Sequence, residues 1–577
     1  MALHKNRLRE MADIVGEDFF SAEPYMTEIY STDIATLPGI VNDLLETKAD
    51  AVAQPTSTEI VSNLTKYCVE YEIPMIPRGH GTSGYGGVLP TRSGVVVEMT
   101  RMNEVFRIDR DAMTVEVGAG IIWGNLLEIL EDERLTVPAY PSSAPSSTVG
   151  GWVAAGGTGI GSTRYGGIKD IVVDLEVVLP NGVAIRTSEV SLEMFRDPEK
   201  YEYHPSDETY FFSVESPDTH EEQNLTRLFV DSNGSLGIIT KVVLKLNELR
   251  SIHPYVATFR SRDLMAGALR DILDVTRPFY LHFTNDTTHR MLKELGRAPE
   301  TTGEWVILAA YEGEESEVED EVRKMAHVVE RWSGKVESEE VADHAWEERF
   351  YPMRIKRLGP SLAPSEVYVP IDNLGDFLAH LERHFKRERF ATEGAVTNEG
   401  KVAVLTWFLD DERKRISFLM GWYRSLDVIA IGVEHGGSAY SIGMWNVSHS
   451  RPFYGNNDYR HMSGLKKNTD PKNIANPHKV FTGPLKVSFR LSLLVSLIAA
   501  VMAVFVVWLA MDWFPDFFVF LWIEPWLDLR SIWGLITVFS MGLVAGVFIV
   551  EIMNNITVSF LLTIGRPILR LGRRIWH

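Results

Sequence analysis

Eleven residues, Pro77-Arg78-Gly79-His80-Gly81-Thr82-Ser83-Gly84-Tyr85-Gly86-Gly87, contain five glycines interleaved with small hydroxyl side chains. Such a stretch sustains neither helix nor strand. Glycine's freedom at φ > 0 lets the backbone turn sharply and come close to a ligand, and consecutive N–H groups in such a loop form a concave nest for anions. The loop follows an extended segment, residues 73–76, and precedes the apolar run 94–99, so it joins two expected strands. A Walker A loop would place Gly-Lys-Ser/Thr before a helix, and a Rossmann loop would open directly into one. This sequence does neither, which leaves a diphosphate cradle of another architecture.

The chain around the loop is 577 residues long with a net charge of −21. That length exceeds what one hydrophobic core organises, so two or three domains are expected. The negative balance argues against a nucleic-acid partner, which requires a basic footprint to release counterions. The single cysteine, Cys68, sits at helical spacing with Val61 and Leu64 and reads as a core residue. One thiol makes no internal disulfide and holds no iron–sulfur cluster, which takes about four Cys ligands. No Cys-x-x-Cys-His haem attachment site is present. Redox chemistry in this chain therefore runs on a bound organic cofactor or passes electrons to something else.

The C-terminal part differs from the rest. Residues 491–511 are 21 positions without a charge, enough to cross a hydrocarbon core of ~30 Å at ~1.5 Å per residue. A second apolar stretch runs from 532 to 550 and past Glu551 to about 564. Together they predict a two-helix transmembrane hairpin, one that contains no histidine for a haem. Lys479, Lys486 and Arg490 precede the first span; Arg566, Arg570, Arg573 and Arg574 follow the second. The connector carries Asp512, Asp516, Glu524 and Asp528 against Arg530. The positive-inside rule then expects a multi-pass protein of the inner (cytoplasmic) membrane, with both termini and the N-terminal part cytoplasmic. The aromatic connector suits an interfacial belt or a quinone entrance, and the basic tail 566–577 suits the membrane surface.

Strand and helix signals divide the remainder. Residues 1–53 read as an N-terminal helical segment ending in a loop. From 54 to 249 strands alternate with short helices, the clearest β runs being 95–99, 114–117, 171–179 and 238–246, with a hairpin signal at Asn181-Gly182. From 250 to 430 longer, charge-rich helices such as 315–334 and 373–388 alternate with strands. Residues 431–485 return to a glycine-rich character, and 486–577 hold the hairpin and its basic tail.

A second glycine-dense stretch follows the first by about sixty residues: Ser147-Thr148-Val149-Gly150-Gly151-Trp152, then Ala154 through Gly161-Ser162-Thr163-Arg164-Tyr165-Gly166. Two such loops on one α+β domain make a site where backbone meets an extended ligand. With these motifs the chain resembles the FAD-binding oxidoreductases of the vanillyl-alcohol oxidase (PCMH) type. The glycolate oxidase/D-lactate dehydrogenase and alkyl-dihydroxyacetone-phosphate synthase branches look nearest. Their Pro-Arg-Gly-x-Gly-Thr-Ser loop is matched at 77–83, and their Gly-Gly to Arg-Tyr-Gly run at 149–166. Their Gly-Ser-x-Gly-Thr-Leu-Gly-Ile motif is approximated from Asp231 to Ile238, and their Asp-Pro-x-x-Ile-x-Asn-Pro signature at 470–477. The resemblance spans residues 14–480 and is strongest over 54–245.

It implies an α+β architecture: a PCMH-type FAD-binding domain of two α+β subdomains and an α+β substrate or cap domain, with the transmembrane hairpin added. It also implies bound FAD, its pyrophosphate on Gly79, His80, Gly81, Thr82 and Ser83 beside Pro77 and Arg78. Thr148, Gly150, Gly151, Gly161, Ser162 and Tyr165 would line the isoalloxazine, with Gly237 and Ile238 on the adenine or ribityl side. Relatives that link flavin covalently place the histidine at the position of Thr82, not His80, so non-covalent FAD is expected. Glu434-His435-Gly436 preserves one element of the metal site found in glycolate and lactate relatives, but residues 394–402 lack the histidines of the other, so no metal is expected. His435 is then a candidate base near flavin N5, with Glu434 beside it. Arg354 is a candidate for a substrate carboxylate or an ordinary surface cation.

The expected function is a membrane-anchored FAD-dependent oxidoreductase acting on a small, anionic organic substrate or a redox partner. It would deliver electrons to a quinone-type acceptor, through a separate Cys-rich iron–sulfur subunit because the chain has no cluster of its own. The alternative is a flavin enzyme of lipid metabolism, a transferase of the alkyl-glycerone-phosphate type or a lipid reductase, anchored beside its substrate. A non-catalytic scaffold would lack FAD.

Overall fold

The structure, a computed structural model, describes residues 3–34, 38, 47–190, 225–298, 301, 303–350, 352–386, 388–481, 497–503, 505 and 538–540. They fall into two compact units, Met1–Pro38 with Lys48–Phe481, and Gly39–Thr47 with Thr482–His577. The expected transmembrane hairpin belongs to the second and lies almost wholly outside the described residues. Among the described residues no helix is long and apolar enough to cross a membrane.

The large unit contains three main sheets. The first joins β1 (Phe20–Ser21), β2 (Ala51–Ala53), β3 (Met75–Arg78) and β4 (Val95–Glu98) in the order β1-β2-β4-β3, with β2 and β3 parallel to β4. The helix Thr58–Glu70 covers it. Ser57 caps that helix by accepting from Ile60 N, and Val61, Leu64 and Cys68 point into the core. The N-terminal segment thus holds two strands as well as the helices Lys5–Val15 and Pro24–Tyr30. The sequence pattern hid them because two or three residues are too few to show a period.

The second sheet is antiparallel: β5 (Val105–Asp109), β6 (Thr114–Gly118), β8 (Val172–Val178), β9 (Ala184–Arg186) and β10 (Ile238–Lys245), in the order β5-β6-β10-β8-β9. Three of the four β runs seen in the sequence are here, as β6, β8 and β10; the fourth, 95–99, is β4 of the first sheet. Asn181-Gly182 makes the β8–β9 turn, where Gly182 takes φ +84° and the Asn181 side chain accepts from Val183 N. Short β7 (Leu135–Thr136) pairs with β11 (Asn247–Glu248) beside it.

The third sheet has eight antiparallel strands: β12 (Ile252–Phe259), β13 (Tyr280–Thr284), β14 (Trp305–Glu312), β15 (Lys335–Val336), β16 (Ser361–Pro370), β17 (Phe390–Val396), β18 (Lys401–Asp410) and β19 (Ser438–Ala439). Their order is β15-β12-β14-β13-β17-β18-β16-β19. Alternation along each strand sorts the side chains between its faces. Trp305, Ile307, Ala309 and Tyr311 of β14, Val402, Val404 and Phe408 of β18, and Ala363, Val367 and Val369 of β16 share one core. The helices Arg262–Val275, Glu315–Arg331, Leu374–His384 and Arg415–Glu434 cover that face. The intervening residues face away from these helices.

After β19 the chain returns to the first sheet. Met75 N donates to Ile474 O and Asn476 N to Met75 O, each at 2.8 Å. The Asn476 side chain donates to Gly87 O and Asn233 O, so it ties two of the glycine loops together.

Candidate active site

The first glycine loop leaves β3 at Arg78. Among the described residues, no backbone N–H from Gly79 to Gly84 has a protein partner, whereas Gly86 N donates to Asp33. Arg78 lies buried against this loop: its guanidinium donates to Thr32 O and sits over the Tyr30 ring, while its Nε has no partner. Burial lowers the pKa of this guanidinium, but not enough to deprotonate an arginine.

The second loop touches the first. Thr148 caps the helix Val149–Ala155 by accepting from Gly151 N, and its hydroxyl faces Gly79 so closely that a Cβ there would lie 2.1 Å away. Only glycine permits this approach. Beyond, Asp231 adopts φ +64°, the conformation that explains why the resembling family carries glycine at that position. Asp231 is nonetheless accommodated, its buried carboxyl pushed well above the ordinary range by desolvation.

These loops enclose a cavity of about 260 Å³. Twelve of the fifteen residues expected at the cofactor line it: Pro77, Arg78, Gly79, His80, Gly81, Thr82, Ser83, Thr148, Gly150, Gly151, Gly237 and Ile238. Free N–H groups, a buried arginine and a cradle that a Cβ at position 79 would fill suit an extended, anionic, dinucleotide-sized ligand, and these residues fit FAD. His80 Nδ1 is within 2.6 Å of Ser146 O.

Gly161, Ser162 and Tyr165 do not line the cavity, which corrects their expected place at the isoalloxazine. They join the FAD-binding part to the eight-stranded sheet instead. Ser162 O accepts from Asn398 N, the neighbouring Thr163 hydroxyl donates to Val396 O and accepts from Leu281 N, and the Tyr165 hydroxyl donates to Glu312.

A second cavity, about 160 Å³, opens on the face of the eight-stranded sheet turned away from those helices. Strand register explains its lining. Glu366 pairs with Leu405, Leu405 with Glu393, Glu393 with Thr284 and Thr284 with Val306, so one cross-strand row presents all five. The next row brings Ala403, Ala395, His282, Leu308 and Val256 to the same wall. Ser142, Thr158, Glu366 and Leu405 line both cavities, so the two adjoin there.

Polar groups are concentrated in this second cavity. Burial pushes the Glu366 carboxyl up to about 8, against the hydrogen bond from Tyr85 Oη to Glu366 Oε2 at 2.8 Å, which lowers it. Burial also raises Glu393 to about 8, helped by Glu366. His282, with Nε2 3.9 Å from Glu393, is lowered to about 4 by burial and stays neutral. On the opposing wall, Arg349 stacks over Trp346 and Phe350 and donates to Trp346 O, and its buried Nε has no partner. Arg354 also lines this cavity, on the short 3-10 helix Pro352–Leu358, bound to Glu348 and to Phe350 O.

Glu434 and His435 line neither cavity, which corrects their expected position beside the flavin. The Glu-His-Gly tripeptide ends the long helix Arg415–Glu434, where Glu434 is exposed and His435 packs on Phe377 with Nε2 3.2 Å from His380 Nδ1. The residues that reach the cofactor cavity come after β19, Tyr440 and Ser441. Among the described residues, no group of three or more His, Cys, Asp or Glu is arranged to hold a metal ion.

Sequence reasoning missed Glu366, Glu393, His282 and Arg349. Their signal was present for the two acids: each is a lone carboxylate inside an apolar strand, a placement that costs free energy unless it serves a site.

Comparison with known proteins agrees with this geometry. Residues 49–188 match the FAD binding domain family, and residues 250–480 match the C-terminal domain of FAD linked oxidases. The glycolate oxidase subunit GlcD of Bacillus subtilis is 26% identical over 450 residues, covering 75% of this chain and 89% of that protein. The mitochondrial D-lactate dehydrogenase (cytochrome) of Arabidopsis thaliana is 26% identical over 454 residues, covering 75% and 73%. A solved alkyldihydroxyacetonephosphate synthase superposes with a TM-score of 0.60 at 18% identity, covering 82% of this chain and 86% of that one. With both family matches in chain order and the glycine loops around one cavity, the protein belongs among the FAD-binding PCMH-type oxidoreductases and is an FAD-dependent enzyme.

Proposed function

We propose that this oxidoreductase dehydrogenates a small organic anion of the 2-hydroxy acid class, and that it works anchored at the cytoplasmic face of a membrane. The observation that carries the substrate reading is Arg349. Its guanidinium meets no carboxylate among the described residues, yet it faces a cavity that adjoins the cofactor cavity. A substrate carboxylate would complete it with charge-assisted hydrogen bonds, with Arg354 adding positive potential from the same wall. Size points the same way: about 160 Å³ admits roughly ten water-sized groups at ~15 Å³ each. The relatives named for glycolate and D-lactate act on acids of that size class by their names.

FAD, when bound, supplies the two-electron acceptor. In this reading residues 79–83 hold its pyrophosphate with Arg78 behind them, and Thr148, Gly150 and Gly151 lie along the ring system. The apolar wall of Leu405, Ala403 and Ala395 excludes water from the reacting face. Membrane attachment is supported by the two uncharged stretches of the C-terminal sequence. A single cysteine holds no cluster, so electrons would leave through a separate iron–sulfur subunit to a quinone-type acceptor.

The alternative, a flavin enzyme of lipid metabolism, is favoured by the fold likeness to alkyldihydroxyacetonephosphate synthase and by the apolar C-terminus. The small second cavity counts against a long-chain substrate. Anaerobic addition of glycolate, D- and L-lactate and longer 2-hydroxy acids to the purified protein tests the choice. Bleaching of the visible flavin band by one of these acids, and its loss in Arg349→Met, is the expected result. A flavin bleached by none of them, or a colourless protein, overturns the substrate reading.

A further inference from the structure

Resting on the substrate reading above, we propose that Glu366 is the residue that takes the hydroxyl proton of the substrate, with Tyr85 as its positioning partner. Oxidation of a hydroxy acid requires the carbon-bound hydrogen to face the flavin while the hydroxyl proton goes to a base beside the same carbon. The base therefore belongs where the two cavities adjoin. Of the four residues that line both, Ser142, Thr158, Glu366 and Leu405, only Glu366 can accept a proton near neutrality.

The other titratable groups nearby are committed or displaced. The Tyr440 hydroxyl lies 3.0 Å from both Thr158 N and Thr158 O, accepting from one and donating to the other. The Tyr85 hydroxyl donates to Glu366. His282 and Glu393 line only the substrate cavity, Glu393 two strands from Glu366 across Leu405, about 10 Å at the usual strand spacing. His435 lies outside both cavities.

Glu366 is also well held. Tyr440 N donates to its carbonyl at 3.1 Å, and Tyr85 fixes Oε2 at 2.8 Å. Among the described residues Oε1 has no hydrogen-bond partner, so one oxygen is tethered and the other is available to a ligand.

The step balances. The O–H proton would move to the ionised Glu366 carboxylate as the C–O bond becomes a carbonyl, and FAD, when bound, would supply the two-electron acceptor for the carbon-bound hydrogen and its electron pair, leaving a 2-oxo acid and a protonated Glu366.

Because burial raises this carboxyl, the base form grows in as pH rises towards about 8. The groups facing it are Tyr85 from the first loop, Tyr368 on its own strand, Tyr440 beyond β19 and Glu393. None of these is cationic; Arg297, Arg349, Arg354, Glu348, His289 and neutral His282 share its cavity.

The test uses full-length, FAD-loaded protein and the variants Glu366→Gln and Glu366→Asp, with two readouts. In the infrared, wild type should show a protonated-carboxyl stretch, additional to those of buried Glu393 and Asp231, that titrates in the alkaline range, shifts when the non-oxidisable acid oxalate binds, and is missing from the Glu366→Gln spectrum while the other two remain. In anaerobic stopped flow, the wild-type rate of flavin reduction should climb with pH, and Glu366→Gln should lose about 10²- to 10⁴-fold while oxalate affinity is kept. Glu366→Asp should recover part of the rate. A Glu366→Gln variant with the wild-type rate and pH profile overturns Glu366 and leaves the substrate reading standing. Absence of any oxalate-sensitive protonated carboxyl in wild type does the same, even if the variants fail to fold. Failure of every 2-hydroxy acid to reduce the wild-type flavin overturns the substrate reading and this inference together.

Discussion

Glu393 should make the fold measurably weaker as pH rises through neutrality. It is 6% exposed on β17, its nearest charged-type partner is a neutral His282, and its carboxyl is raised to about 8. The unfolded chain titrates at about 4.3 for Glu. A folded value above the unfolded one means the contribution is fully present below about 4.3 and is lost as pH rises through about 8. His282 runs the other way: lowered to about 4 from about 6.5 in the unfolded chain, it contributes above about 6.5 and is lost as pH falls. The window from about 6.5 to about 8 therefore excludes His282; Lys479, lowered to about 7 by burial, adds stability across it, but equally in wild type and in a Glu393 variant. Across it Glu393 removes roughly 1.5 × 1.36, or about 2 kcal/mol, and Glu366 removes a similar amount. Glu393→Gln keeps the shape and deletes the titration. At roughly 1 °C per kcal/mol for a cooperative unit of more than about 400 residues, the fall in Tm between pH 6.5 and 8 should be smaller in Glu393→Gln by about 2 °C. Circular-dichroism melting of the purified protein at both pH values decides it. Equal falls in wild type and variant would show that Glu393 is ionised or solvated in the native state, and the reasoning from burial would be wrong.

Four further outcomes are expected. Gly79→Ala forces a Cβ to within 2.1 Å of the Thr148 hydroxyl; overpacking of about 1–3 kcal/mol should weaken FAD retention about 5- to 100-fold, seen as a lower flavin-to-protein ratio after gel filtration. His435→Ala, outside both cavities, should leave the rate of flavin reduction within about twofold of wild type, and a loss near 10²-fold would return it to the reaction. Cys68 is fully buried and its thiol is raised by desolvation, so an aromatic disulfide reagent should find no thiol in native protein and one after unfolding. Asp231→Gly relieves a left-handed backbone at φ +64° and should raise Tm by roughly 1 °C for about 1 kcal/mol; a lower Tm would show that the carboxyl holds the loop.

The cofactor site was legible because its signals are local. Gly79, Gly81, Gly150 and Gly237 announce backbone approach by residue type alone, and the helix carrying Cys68 announces itself by spacing. The substrate side was not, because it depends on register. Glu366, Leu405 and Glu393 become neighbours only once β16, β18 and β17 pair, and no local pattern records that. The Glu-His-Gly tripeptide misled for the converse reason: three residues match a motif wherever they fall, and here a long helix carries them away from the cavity. Tyr165 was misplaced because the glycine run that precedes it ends by turning away from the cofactor, towards Glu312. Ala51–Ala53 was missed because three small apolar residues have no period to detect.

The alternation along the eight-stranded sheet also bears on how such an enzyme can change. Positions 366, 405, 393 and 282 alternate with core positions such as 367, 404 and 283, which pack under the helices. Substrate preference and folding stability are thus written on interleaved residues of the same strands. A point substitution on the cavity side can alter the reaction while leaving the helix-covered core intact, whereas a slip of one residue in β18 would exchange the two sets at once. The sheet lets chemistry drift under selection while holding its own register fixed.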